Sequence, residues 1–263
     1  MSSADTVIAA LRSGYDGLAG QVSGFSDADL AGPSAASEWD ISQVLSHLGS
    51  GAVISRAALQ AALDGAPNPG PDFNRSVWDK WDAMTGRERA EAFVQANEAL
   101  LALLESLDAG TRDTLRINMG FLPEPVDVAT AVRLRLNEFT LHSWDIRAVS
   151  DEQATLPADA TAALLHGEPN LISWIGKAEP LNGRQVVITV TATEPASVFT
   201  LRLQAPVTVD FDLPEHPDGT LALPAEAWLR LVSGRLAPRH TPATVSATGA
   251  ADLDLLRQVF PGY

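Results

Sequence analysis

Leu136-Asn-Glu-Phe-Thr-Leu-His-Ser-Trp-Asp145 is the stretch from which the rest of this chain is read. Glu138 and His142 stand four residues apart, a spacing that puts both side chains on one face of a helix, one turn from each other. Around them Val128, Val132, Leu134, Leu136, Phe139, Leu141, Ile146 and Val149 supply apolar faces with no Pro or Gly between. The pattern predicts a helix running to about 149, with Asp127 as its cap. A carboxylate and an imidazole on a mostly apolar helix need partners, because a lone buried polar group is costly. A divalent metal is one such partner; a simple ion pair on the helix surface is the other. A second apolar helical run, Ile41-Ser-Gln-Val-Leu-Ser-His-Leu48, carries His47, which could supply a third ligand. The chain has five histidines (His47, His142, His166, His216 and His240), and two of them sit in these apolar runs, where a solvated histidine is not expected. A His-Glu-His set with an open position is what a catalytic metal site requires.

Outward from these motifs, the first half reads as helices. Residues 4–23 carry Val7, Ile8, Leu11, Tyr15, Leu18 and Val22 at helical spacing. Asp27, or Ser26 before it, caps a short turn through Leu30. Asp40 reads as the cap of a helix from about 41 to 64, which Gly65 and the Pro67-Asn-Pro-Gly-Pro71 run terminate. A short helix is expected at 75–81, a longer one at 85–106, and irregular chain at 111–125. Four main helices with at least one long crossover predict a bundle, a natural host for metal sites built from facing helices. In the second half, 151–157 reads as a linker into a helix at about 158–177. The period then falls to two at Val186, Ile188 and Val190, at Phe199, Leu201 and Leu203, and at Val207, Val209 and Phe211. Leu221 and Leu223 suggest a short strand, 225–233 a helix stopped by Gly234, Val245 a last strand, and 250–259 a final helix. The expectation is a two-domain α+β chain: a helical bundle over 1–152, and over 153–263 a small α+β domain of three or more strands, antiparallel, covered by helices.

The composition limits function. At 263 residues and 46% hydrophobic, the chain suits one large domain or two small ones. No apolar stretch approaches the roughly 20 residues that span a bilayer. The first residues show no basic region followed by an apolar one, so no secretory signal is expected. A net charge of −15 argues against nucleic acid and anionic membranes as partners. Cysteine is absent, which excludes disulfides, a thiolate nucleophile and cysteine-ligated metal, and fits a cytoplasmic location. Any thiol chemistry must then use an external thiol.

Trp39-Asp-Ile-Ser-Gln-Val-Leu-Ser-His-Leu48, followed by Asn137-Glu-Phe-Thr-Leu-His-Ser-Trp-Asp-Ile146, resembles the paired motifs of the mycothiol-dependent maleylpyruvate isomerase family. The family's N-terminal half is a DinB-like four-helix metal-binding domain. Ala225-Glu-Ala-Trp-Leu-Arg-Leu-Val-Ser-Gly-Arg235 is similar to its C-terminal domain, which has a sterol-carrier-like α+β shape. The resemblance implies that His47, Glu138 and His142 bind one divalent metal, with zinc expected. It also implies that an arginine of the C-terminal domain reaches the active site. Arg235 is the best match, with Arg239 and Arg230 as alternatives. The chain departs from the family in one place: Ser34-Ala-Ala-Ser-Glu-Trp39 stands where many members have a Pro-Cys-Pro-Gly-Trp-like turn, and this bears on substrate identity more than on metal binding.

The remaining site residues have competing readings. Asp145, three residues after His142, could orient its imidazole or pair with Arg147 or Arg135. Trp39 and Trp144 read as packing residues, His166 and His216 as exposed, and His240 as a loop residue. Arg235 could clamp a substrate carboxylate or complement a helix C-terminus. The function implied is a metal-dependent isomerase or S-transferase that uses mycothiol on a small electrophile resembling maleylpyruvate. The alternatives are a zinc hydrolase acting through bound water, and a small-ligand or lipid carrier without catalysis.

Overall fold

The computed structural model describes residues 3–165, 169–250 and 252–262. His166 lies outside them. The chain forms two compact units, Met1–Ser150 and Asp151–Tyr263.

The first unit is helical: α1 (Ser3–Val22), α2 (Asp27–Leu30), α3 (Ile41–Leu63), α4 (Gly70–Asp82), α5 (Gly86–Ser106), α6 (Ala109–Thr114) and α7 (Val128–Arg147), with the two-residue strands β1 (Arg116–Ile117) and β2 (Val126–Asp127) before α7. The long helices α1, α3, α5 and α7 make the bundle, with α3 packed most closely on α5 and α1 on α7. Leu45, Leu48, Phe93, Leu101, Leu136, Phe139 and Trp144 fill its centre and are almost fully buried. Side-chain caps fix where the helices begin. Ser26, Asp40 and Thr85 form reciprocal capping boxes with Asp29, Gln43 and Glu88. Asp127 accepts the Thr130 N–H at the start of α7. Each cap is worth about 1 kcal/mol.

The first unit departs from the sequence reading in two places. Helix α4 begins at Gly70, earlier than 75, because Pro71 falls in its first turn, where no intrahelical N–H is required. Residues expected to be irregular contain α6 and an antiparallel β1–β2 pairing, Arg116 opposite Asp127. Helix α6 buries no residue, so apolar spacing could not disclose it; its Asp108 cap is the only local signal.

The second unit contains α8 (Ala158–Leu164), α9 (Pro169–Ile175), β3 (Val186–Thr193), β4 (Ser197–Leu203), β5 (Thr208–Asp210), β6 (Gly219–Pro224), α10 (Ala225–Val232), β7 (Ser246–Gly249) and α11 (Leu253–Val259). Its sheet has the order β5-β4-β3-β6-β7. The expectation of an antiparallel sheet holds for three pairings and fails for the central one: β3 and β6 are parallel, with Val190 opposite Leu221. Alternation within a strand states which face is buried, not which strand lies beside it. Phe211 and Val245 lie outside the strands, and Phe211 is exposed. The core centres on Trp228 of α10, whose ring meets Phe199 edge-on at 5.0 Å and Phe260 at 6.2 Å.

Beneath that core Arg230, only 1% exposed, forms a two-point ion pair with Glu226, both N···O distances 2.7 Å, and donates to the His240 carbonyl. His240 is itself buried, in a helical turn at Pro238–His240, and its Nδ1 lies 3.0 Å from the Glu152 carbonyl. Replacing Glu226 by Leu should cost about 3 kcal/mol, because it removes the carboxylate from a buried cation. Urea unfolding of the full chain reads this loss, and Glu226→Leu combined with Arg230→Leu should recover most of it.

Candidate metal centre

His47 lies on α3, and Glu138 and His142 lie one turn apart on α7. Packing of the bundle brings the three together: one ligand atom from each falls within 4.8 Å of the others. His47 Nε2 is 3.1 Å from Glu138 Oε2, and His142 Nε2 is 3.8 Å from the same oxygen. The side chains of His47 and Glu138 are each 37% exposed, while that of His142 is 13% exposed, so the cluster sits at a protein surface with one accessible side.

Each donor is held in place. His142 Nδ1 lies 2.9 Å from the carboxylate of Asp145, which is 1% exposed. That contact assigns the proton to Nδ1 and leaves the Nε2 lone pair turned toward Glu138. Trp39 lies against both imidazoles, its ring 5.2 Å from that of His47 and 5.6 Å from that of His142. The segment leading to Trp39 is pinned: Ser34 Oγ donates to the Trp39 carbonyl, and the Ala35 N–H donates to the Asp145 carbonyl at the end of α7. Glu38 adopts a positive φ of 71° at this turn. Trp144 is a core residue, buried at 1% exposure.

Electrostatics favour an ionised carboxylate. Burial raises the pKa of Glu138, but the hydrogen bond with His47 and electrostatic interactions with His142, His47 and Arg135 outweigh it and hold the group below the usual glutamate range. Arg135, one turn before Glu138, is buried at 7% exposure; its Nη2 donates to the Leu48 carbonyl and to Asn97 Oδ1. Burial pushes its pKa down to about 10, while the Glu138 charge works in the opposite direction. Two imidazole nitrogens and one carboxylate oxygen, converging from facing helices with one side open, suit a divalent ion such as zinc. Asn97 was not singled out from sequence, and Arg135 was named only as a possible partner of Asp145; its one signal for this role was a charged residue inside an apolar helical face.

Arg235 follows α10 in the second unit, half-buried, with Nη1 donating to the Ser233 carbonyl. Arg230 is committed to Glu226, and Arg239 is exposed beside His240. His216 is exposed.

A helical bundle that gathers two histidines and a glutamate from facing helices defines the class: a candidate metal-binding four-helix domain. The family model described as the mycothiol maleylpyruvate isomerase N-terminal domain matches residues 11–147, more than half of the chain. The chain belongs to that family. The whole chain is also similar in fold to a crystal structure of the mycothiol-dependent maleylpyruvate isomerase, with a TM-score of 0.63, 14% identity and 95% of each chain covered. A histidine-to-alanine mutant of that enzyme matches with a TM-score of 0.62, 14% identity and the same coverage of 95%. A comparison with curated proteins returned no match.

Asp145→Asn should weaken zinc binding by roughly 10–100-fold, the range for loss of a carboxylate that orients a histidine ligand. Chelator competition measures the affinity, and circular dichroism checks that the helices persist. An unchanged affinity would remove Asp145 from the site.

Proposed function

We propose that this protein is a metal-dependent enzyme that uses a low-molecular-weight thiol, mycothiol in the family's pattern, either to isomerise a small electrophile resembling maleylpyruvate or to transfer the thiol sulfur onto it. The convergence of His47, Glu138 and His142 within 4.8 Å carries the proposal. Family membership over residues 11–147 supports the choice of thiol. The absence of cysteine is consistent with a thiol supplied from outside the chain.

In this reading His47 Nε2, Glu138 Oε2 and His142 Nε2 hold one divalent ion, zinc by preference for imidazole and carboxylate donors. Such an ion supplies Lewis acidity that keeps a thiol sulfur deprotonated at neutral pH. The protein's own groups do the positioning. Asp145 orients the His142 ring, the buried cation of Arg135 one turn away favours an ionised Glu138, and the indole of Trp39 lies against both imidazoles. The reaction is an addition and elimination without net redox change. The thiolate sulfur forms a bond to one alkene carbon, and the π pair moves into the conjugated carbonyl. Rotation follows about the resulting single bond. The electron pair then returns, the C–S bond breaks and the thiolate leaves with the trans alkene formed. If the adduct is protonated at carbon and released, the outcome is S-transfer.

His47→Ala should lower metal content from about one ion per chain to near zero and abolish turnover with it, read by elemental mass spectrometry and assay on the same preparation. Retention of a full complement of zinc would sink the ligand assignment. Turnover of electrophiles by the wild type should require added thiol; equal rates without it would mark the hydrolytic alternative. The resemblance also gives Arg235 the binding of a substrate carboxylate. Arg235→Ala should then raise KM for a carboxylate-bearing electrophile by roughly tenfold, since hydrogen bonds to charged groups are worth about 1.5–3 kcal/mol, whereas Arg239→Ala should not.

A further inference from the structure

Arg135 is a buried cation whose direct partners are all neutral. It lies one turn before Glu138 on α7. Its Nη2 donates to the Leu48 carbonyl of α3 and to Asn97 Oδ1 of α5, and the ring centroid of Phe139 lies 5.8 Å from its guanidinium carbon. Its Nε is buried with no hydrogen-bond partner, and no carboxylate stands within ion-pair distance of the guanidinium, among the described residues. A buried guanidinium is ordinarily set against a carboxylate, because an unmatched charge inside a protein is expensive. Here the position for one is filled by an amide. Asn97 is 2% exposed, its nitrogen donates to the Phe93 carbonyl at 2.9 Å, and its oxygen accepts from Arg135 at 2.8 Å. An aspartate at 97 has the same shape and would supply the missing negative charge; the chain leaves the cation without it.

The charge acts on the ligand cluster instead. Side chains three apart on a helix are neighbours, with Cβ atoms about 5–6 Å from each other, so the field of Arg135 falls on Glu138. Of the three ligands only Glu138 is negative, since imidazoles bind metal in the neutral form. The Asp145 carboxylate behind His142 adds a second negative charge, and Arg135 offsets it. A divalent ion held by this set keeps one positive charge unmatched. At a site only partly open to water, that excess favours an anion at the open position. The surroundings on the open side supply no such preference. His47 lines a cavity of about 350 Å³ walled by three indoles, Trp39, Trp78 and Trp81, and there Arg89 and Asp82 carry opposite charges.

We propose that Arg135, left without a counter-ion by Asn97, sets the charge selectivity of the metal centre, so that its open position takes an anionic ligand in preference to a neutral one. The proposal rests on the metal reading above and adds to it the residue that decides which class of ligand is accepted. Arg135 touches neither the ion nor the ligand; it acts through its field, from behind Glu138.

The test uses the full chain loaded with cobalt(II), whose visible spectrum reports ligands entering the open position, and two probes, the anion thiocyanate and neutral imidazole. Asn97→Asp is the main variant, because it cancels the charge while leaving the guanidinium in place. It should raise the Kd for thiocyanate by roughly tenfold, the scale of one charge acting over a helix turn, and leave that for imidazole within about twofold. Arg135→Met should separate the two probes in the same direction, and Arg135→Lys should restore thiocyanate binding toward the wild-type value; these two carry the test if Asn97→Asp does not fold by circular dichroism. A merely structural role for Arg135 would weaken both probes together. Equal weakening of both, unchanged thiocyanate binding, or a cobalt-loaded wild type that does not bind thiocyanate would overturn the proposal while the metal reading stands. Failure of the wild type to take up cobalt would remove that reading and this proposal together.

Discussion

The first unit is organised around one buried cation. Arg135 places its guanidinium between three helices of the bundle, donating to the Leu48 carbonyl of α3 and to Asn97 of α5, with the Phe139 ring 5.8 Å away on its own helix. Removing a guanidinium from water is expensive, so the arrangement persists only if its acceptors are fixed. The Leu48 carbonyl belongs to the residue after His47, and Arg135 lies one turn before Glu138. The Nη2 contact with that carbonyl, made while the buried Nε has no hydrogen-bond partner among the described residues, ties the register of α3 to that of α7, and that register is what brings His47 to the glutamate. The same charge helps keep Glu138 ionised, so positioning and electrostatics come from one group.

Helix α3 is shaped to allow this. Its glycines serve two close approaches: a Cβ at Gly51 would lie 2.9 Å from Arg135 Nη1, and one at Gly49 would run into the Trp81 ring. Glycine inside a helix costs up to about 1 kcal/mol relative to alanine. Here that cost is offset by a guanidinium on one side and an indole on the other. A helix with larger residues at both positions would hold its neighbours too far off for the His47–Glu138 contact and for the indole wall beside it.

Much of this was legible in the chain. The Glu138–His142 spacing, the apolar flanks and the caps at Asp40 and Asp127 located the two helices that carry the cluster, because all of these are short-range properties. Helix α6 was not legible, since it buries nothing. The parallel pairing of β3 with β6 was not legible either, since period-two alternation is the same whatever strand lies alongside. His240 reads locally as a loop residue between prolines, yet it is buried, because the ion pair of Arg230 and Glu226 reaches the carbonyl of that turn. Asp145 had three candidate partners by spacing, His142, Arg147 and Arg135, and packing set the imidazole of His142 against it.

The sequence by itself determined which residues could form a metal cluster, on which helices they ride, and where the chain changes from helical to strand periodicity. It did so because helix phase, capping and alternation are written within a few residues of one another. Only the tertiary structure decided that His47 meets Glu138 across 91 positions, that Arg135 rather than a surface ion pair stands behind them, and that three indoles enclose a polar-walled cavity at their side. These depend on the distance and register between helices, which are set by side chains packing across the bundle and are not encoded in any single segment.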